Sequence, residues 1–144
     1  MTTVRHILQE KGNRVWTTSP DASVRDAVRL MDESNVGVLV VSKGDEVVGI
    51  VSERDIARKL ILKERSSSST LVKDIMTPEV ITIASEQSID ECMALMTSKH
   101  IRHLPVVDGA KLAGLISIGD VVKAMIVEKE SLIKELQNYI TGGR

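Results

Sequence analysis

Two hydrophobic periods alternate along the chain, and the alternation happens twice. After Ser23 the apolar positions Val24, Ala27, Val28 and Met31 fall at i, i+3, i+4 and i+7, one stripe of a helix with Ser23 as its N-cap. VGVLVV follows as a near-continuous apolar run. A turn at KGD leads into EVVGIVS, so the two runs predict a β-hairpin. VWTT, ahead of the helix, reads as a short β-branched strand, and Ile56, Leu60 and Ile61 predict a second helix beyond the hairpin. From Val80 the order β-α-β-β-α recurs. VITI is the strand, and Ile89, Cys92, Met93 and Met96 form the helix stripe behind Ser88. IRHLPVV and KLAGLIS flank a DGA turn, and Val121, Met125 and Ile126 mark the last helix.

An offset of 65 aligns residues 15–56 with 80–121 without a gap, and 11 of the 42 pairs are identical. An offset of 68 carries the match upstream, VRHIL against VKDIM. The chain is thus built twice from one plan, with a first unit over 1–66, a second over 67–127 and a helical extension over 128–144. The polar run KERSSSST, residues 63–70, reads as a flexible linker. The fold class is α/β of the α+β kind. Two repeats pack pseudo-symmetrically, their continuous apolar strands covered by helices. Ile126, Leu132, Ile133, Leu136 and Ile140 predict an amphipathic helix that runs into the extension, suited to covering a sheet or pairing with another chain.

Composition narrows the class. The 144 residues are 42% hydrophobic and 27% charged, which fits a soluble globular domain. A net charge of -1 leaves no electrostatic footprint for nucleic acid. Trp16 and Tyr139 are the only aromatics, too few for stacking single-stranded bases. No apolar run approaches the roughly 20 residues of a membrane helix, so no membrane is expected. The start MTTVRHILQEKGNRVW lacks a secretory apolar run; it predicts a bacterial cytoplasmic protein, its scattered Arg and Thr hinting at a trimmed organelle protein. A single cysteine excludes an intrachain disulfide framework and suits a reducing compartment.

The candidate chemistry lies where each repeat's last strand ends, in GIVSERD (49–55) and GLISIGD (114–120). Ser52 and Asp55, and Ser117 and Asp120, stand at strand-to-helix junctions, where unpaired N–H groups and the helix dipole favour an anion. An aspartate offers two acceptor oxygens, enough for both hydroxyls of a ribose. Arg54 adds a guanidinium suited to phosphate. Ser-x-x-Asp is also the pattern of a capping box, and the two roles are compatible.

The duplicated G-apolar-apolar-Ser-x-x-Asp motif, the HIRHLPVVD strand and the internal repeat resemble the tandem CBS-domain pair, named for cystathionine β-synthase, from about Val4 to Val127. The resemblance implies a regulatory module that binds AMP, ADP or ATP, with NAD(H) or S-adenosylmethionine as further ligands, in clefts between the repeats. It also implies a homodimer, an unidentified regulated protein and no catalysis. In that family, main chain around the apolar-Pro-Val segment meets the adenine edge and neighbouring basic groups meet phosphate. Carried over, this names Leu104 and Pro105 with Arg102 and His103, and makes the second site the better equipped. There Gly119 stands where the first motif has Arg54. The first copy has Val40 in place of Pro105 and offers Asn35, Val36, Gly37 and Val38. Thr17 and Thr82, at the start of each unit, are also expected at the ligand.

The remaining residues read as structural. His100 and His103, three apart near a strand end, do not converge on a metal, and no cysteine or carboxylate cluster completes a ligand set. Cys92 aligns with Ala27 as a small core residue, and Trp16 reads as core more than as an adenine stack. No Ser-His-Asp order or paired catalytic carboxylates support an enzyme. The alternative to a nucleotide sensor is a ligand-free dimerisation adapter.

Overall fold

The computed structural model describes residues 1–141, so the last three residues of the 128–144 extension lie outside the described chain. Helix α1 (Val4–Lys11) is followed by β1 (Thr17–Thr18), α2 (Val24–Ser34), β2 (Val38–Lys43) and β3 (Glu46–Ser52). Helix α3 (Glu53–Asp55) runs on as a π-helical stretch, Ile56–Ile61. The second half holds α4 (Val72–Ile75), β4 (Thr77–Pro78), α5 (Ile89–Lys99), β5 (His103–Asp108), β6 (Lys111–Ser117) and α6 (Ile118–Ile140).

The repeat is visible in three dimensions, bond for bond. Ser23 and Ser88 both cap their helices, each accepting a hydrogen bond from the main chain three residues on, at Asp26 and Glu91. Both hairpins turn on a glycine with positive φ, Gly44 and Gly109, and both carry a register shift at the same place, Val41/Ser42 and Val106/Val107. Where β1 pairs in parallel with β2, the second copy keeps only a bridge between Ile83 and Val106, so VITI does not form the strand its residues predict. Proline explains the loss. In the first copy Val40 N–H donates to the Trp16 carbonyl, whereas its counterpart Pro105 has no N–H to give Ile81.

Each repeat closes its core with a helix from the other. Val4 and Ile7 of α1, which precede the first repeat, lie in the second core with Ile83, Ile89, Cys92, Met96, Leu104 and Val106. Val72 and Ile75 of α4, which precede the second repeat, lie in the first core with Val24, Ala27, Met31, Leu39 and Val51. The exchange obeys the 68- and 65-residue offsets. Val4 N–H donates to Gln87 and Val72 N–H to Ala22; Ile89 N–H donates to Thr2 and Val24 N–H to Thr70. Units defined by sequence and units defined by packing therefore do not coincide.

Glycine makes the exchange possible. A Cβ on Gly49 would meet Met76 Sδ at 2.7 Å and the Thr77 carbonyl at 2.9 Å; one on Gly114 would meet Leu8 Cδ2 at 2.6 Å. The glycine that opens each motif thus lets the incoming segment lie against the strand.

The serine-rich connection is not the flexible linker its composition predicts. Arg25 N–H donates to the Ser67 carbonyl, Thr70 N–H donates to Ser66, and Thr70 is buried. It is held because α4 must be delivered to the first core. The second repeat's last helix and the C-terminal extension are one uninterrupted helix of 23 residues, α6.

Removing buried Ile75 or Ile7 should therefore unfold the repeat it does not belong to in sequence. Ile75→Ala and Ile7→Ala should each cost about 2–5 kcal/mol, read by denaturant titration with hydrogen exchange. Protection should fall first in the first core for Ile75→Ala and in the second core for Ile7→Ala. Neither fragment 1–66 nor 67–144 should give a dispersed monomeric NMR spectrum, since each lacks a helix of its core; two folded halves would refute the exchange as a requirement.

Candidate functional site

Both Ser-x-x-Asp motifs are built as capping boxes. Ser52 N–H donates to Asp55 Oδ2 at 3.0 Å, and Asp55 N–H donates back to Ser52 Oγ at 3.2 Å. In the second copy, Ser117 N–H donates to Asp120 Oδ2 at 2.8 Å, and Asp120 N–H to Ser117 Oγ at 3.2 Å. The cap holds each aspartate at a helix start while using one face of its carboxylate.

The carboxylates then differ in what else they meet. Asp55 Oδ1 lies 3.1 Å from Lys59 Nζ and 3.4 Å from Thr77 Oγ1. Lys59 also donates to the Ile75 carbonyl at 3.1 Å, so the motif of the first repeat is braced by the end of α4. Asp120 Oδ2 receives Lys11 Nζ at 2.7 Å, and the same ammonium donates to the Leu115 carbonyl at 3.0 Å. Oδ1 of Asp120 has no hydrogen-bond partner among the described residues. Lys11, supplied by the exchanged helix α1, escaped the sequence reading because its offset-68 counterpart is Glu79.

Burial opposes ionisation of Asp120, yet the hydrogen bonds from Lys11 and the Ser117 main chain outweigh it and hold the carboxyl below its ordinary range. His103 is shifted down as well, first by burial and then by the charge of Lys11, with Asp120 pulling the other way. Burial, assisted by Glu91, pushes the Cys92 thiol up to about 11, so it is a protonated core side chain at neutral pH.

A cleft of about 700 Å³ opens between the repeats at the first motif. The first repeat lines it with Gly37, Val38, Ile50 and Ser52 to Asp55, together with Arg58 and Lys59. The second repeat contributes Thr77, Glu79, Val80, Ile81 and His100 to His103. Arg102 and His103 adjoin the second motif, as expected, with His103 paired to Ser117 and the Arg102 carbonyl accepting from Ile118 N–H, and they also line the cleft at the first motif. The charged groups are Arg54, Arg58, Lys59 and Arg102 against Glu53, Asp55 and Glu79.

Other expected residues lie elsewhere. Leu104 and Pro105, expected at the second motif, are buried in β5, where the Pro105 carbonyl accepts from Ile83 N–H, and they do not line the first cleft. Thr17 and Thr82 are exposed outside it. Asn35 ends α2 in the left-handed conformation and lines, with Val36 and Gly37, a shallower groove beside Ile56. Gly119 lies on the open face of α6. His100 ends α5 in the same left-handed conformation as Asn35, a helix end and not a strand end. The sequence did not single out Arg58, Lys59, Thr77 or Glu79. The first two sit one helical turn beyond Arg54 and Asp55, and that spacing was the available signal.

The duplicated strand-to-helix motif, each copy closed by a helix from the other, decides the family. The chain belongs to the CBS domain family. The family matches residues 4–62 and 72–127, one copy per repeat. The mitochondrial CBS domain-containing protein CBSX3 of Arabidopsis thaliana is 43% identical, over 99% of this chain and 73% of its own. A solved CBS-domain protein from Burkholderia ambifaria, named for signal transduction, is 52% identical, with a TM-score of 0.82 over 88% of this chain and 95% of its own. Inosine-5'-monophosphate dehydrogenase of Methanocaldococcus jannaschii is 32% identical over 76% of this chain, which spans only 21% of that enzyme. The chain is a tandem CBS-domain pair, a module that is commonly regulatory. Among the described residues, no helix is long and apolar enough to cross a membrane.

Removing Lys11 tests the electrostatics of the second motif. Folding lowers the Asp120 pKa, so its ionised form contributes stability at neutral pH. That contribution fades as pH falls from about 3.9, the ordinary aspartate value, through the folded value. Lys11 and Asp120 are partly exposed, so the pair contributes no more than about 1 kcal/mol. In Lys11→Met the Asp120 titration midpoint, followed by carboxyl NMR, should rise, and the stability deficit against the parent should shrink on acidification. An unchanged midpoint would remove Lys11 as the cause.

Proposed function

We propose that the chain is a regulatory module that binds an adenosine nucleotide, AMP, ADP or ATP, in the cleft between its repeats. The observation that carries this is the meeting of the Asp55 carboxylate with Arg54, Arg58 and Arg102 around one 700 Å³ opening. An aspartate fixed at a helix start suits ribose hydroxyls, and guanidinium groups from both repeats suit phosphates. The apolar wall of Val38, Ile50, Val80 and Ile81 offers a place for a base. NAD(H) and S-adenosylmethionine present the same adenosine and are further ligands under this reading. The Asp55 cleft ranks ahead of the Asp120 motif because three arginines line it, whereas Gly119 stands in the second motif where the first has Arg54. Ligand occupancy would be passed to a regulated protein, as befits a pair that forms one part of a larger enzyme in the archaeal dehydrogenase. The cytoplasm expected from the sequence is part of this proposal, and the compartment named for the Arabidopsis relative makes an organelle the alternative.

A second reading is a ligand-free adapter. It is favoured by one observation: both aspartates are already employed as caps and paired with lysines.

Calorimetry with AMP, ADP, ATP, NAD(H) and S-adenosylmethionine separates the two, and bound ligand should raise the melting temperature by linkage. Asp55→Ala should weaken binding about 10- to 150-fold, the loss of a charged hydrogen bond of about 1.5–3 kcal/mol. Arg54→Ala and Arg102→Ala should weaken ADP and ATP more than adenosine. If no nucleotide binds, or if Asp55→Asn and Asp55→Ala bind like the parent and only melt earlier, the motif is a cap and the adapter reading stands.

A further inference from the structure

His103 lies between the two motifs. It opens β5 directly opposite Ser117, the serine that caps α6 at Asp120. The same residue lines the cleft at Asp55, and its ring is half-buried. On the side of the second motif it is faced by Lys11 of α1 and Asp120 of α6, with Arg102 ahead of it on the chain. On the cleft side stand Arg54, Arg58 and Lys59 against Glu53 and Asp55, and the second repeat adds Glu79 and His100. Lys11 and Asp120 themselves line a separate groove, between α1 and α6. Burial and the cations Lys11 and Arg102 outweigh Asp120 and hold the ring below its ordinary value, so it is uncharged at neutral pH.

We propose that His103 couples the two motifs through a proton: an anion bound among Arg54, Arg58 and Arg102 draws a proton onto its ring, and the Lys11–Asp120 pair of the other motif sets how strongly it does so. The coupling rests on the reading that the cleft takes a nucleotide phosphate. A phosphate adds negative charge on the cleft side and favours the imidazolium. The proton comes from solvent and adds to the ring's free nitrogen; nothing is oxidised or reduced. Binding and protonation are then linked, so affinity rises as pH falls from the bound-state pKa of His103 through its free-state value. At the second motif the two charges act in opposite senses. Lys11 opposes the imidazolium and Asp120 supports it. A group that draws Lys11 away eases protonation and tightens the first cleft without touching the anion there.

The full chain tests this with ADP as the probe, or with AMP or ATP where either binds more tightly. In the unaltered protein the His103 ring is titrated by NMR with and without saturating nucleotide, its signal told from those of His6 and His100 by substitution. The midpoint should rise on binding. Calorimetry in buffers of unlike ionisation enthalpy should show uptake of a proton. From about pH 8 to about pH 5 the parent should gain about tenfold more affinity than His103→Gln, one pKa unit between free and bound states being a factor of ten. Comparison with the variant removes the titration of the phosphate itself, at about pH 6. Adenosine, which has no phosphate, should show no such gain. Lys11→Met should move the His103 midpoint up, and Asp120→Asn should move it down. A midpoint unmoved by nucleotide, or parallel pH profiles for parent and His103→Gln, would overturn the coupling and leave the nucleotide reading standing. A midpoint unmoved by both Lys11→Met and Asp120→Asn would overturn the link to the second motif. Failure of AMP, ADP and ATP alike to bind at any pH would overturn the cleft reading itself, and the coupling with it.

Discussion

Two short helices carried across the molecule hold this fold together. Neither repeat can bury its own sheet. The first lacks a cover until α4 brings Val72 and Ile75, and the second until α1 brings Val4 and Ile7. The main-chain bonds that fix the two helices are equivalent pairs, and the space they need is cleared by equivalent glycines, Gly49 and Gly114. The repeats are therefore bound by mutual completion of their cores more than by a surface pressed between two finished domains. That constraint also creates the cleft. The residues that follow α4, Thr77 to Ile81, are brought to the first motif because α4 has crossed over to pack there.

The same crossing makes the two motifs unequal. Each is a capping box with matching geometry, so the cap comes from the repeat itself and survives in both copies. What surrounds each cap comes from the opposite half and has diverged. Asp55 is met by Lys59 of its own helix and Thr77 from beyond α4, whereas Asp120 is met by Lys11 from α1. Arg54 and Lys59 have Gly119 and Ala124 as counterparts, so cationic character concentrates at the first cleft.

Most of the architecture was legible in the sequence because it rests on period and repetition. The helix stripes, the hairpins and the serine caps all lie where the offset-65 alignment places them. What was not legible is what depends on distant pairing. The strand at Val80–Ile83 shrinks to a bridge through a proline 22 residues beyond Ile83, and a serine run that reads as slack chain is pinned by Arg25 and Val24. At the site, Asp55, Ser52 and Arg54 were readable from the motif. Arg102 and His103 were readable as basic groups beside the second motif, but not as residues that also line the first cleft. Alignment within a repeat says which residues are equivalent, and it is silent on which repeat's residue faces which cleft. Leu104, in the second core, is buried on its own account, and Pro105 beside it is buried as well, so the apolar pattern of the strand reads as interior before it reads as a site.

Cap and clamp are not competing uses of the aspartate. A capping box fixes the carboxylate through Oδ2, restricting a side chain that would otherwise lose rotamer freedom on meeting a ligand. At Asp55 the other oxygen, Oδ1, is met by the exposed Thr77 and by Lys59, which is anchored a second time on the Ile75 carbonyl. At Asp120 the lysine sits on the capping oxygen itself and is anchored a second time on the Leu115 carbonyl. A hydroxyl arriving at Oδ1 of Asp120 meets a preorganised acceptor, but the ammonium beside it already neutralises much of the charge that would strengthen the bond. A duplicated cap can thus supply two aspartates of like geometry and unlike surroundings, with the difference set by which carboxylate oxygen the lysine takes, Oδ1 at Asp55 and Oδ2 at Asp120.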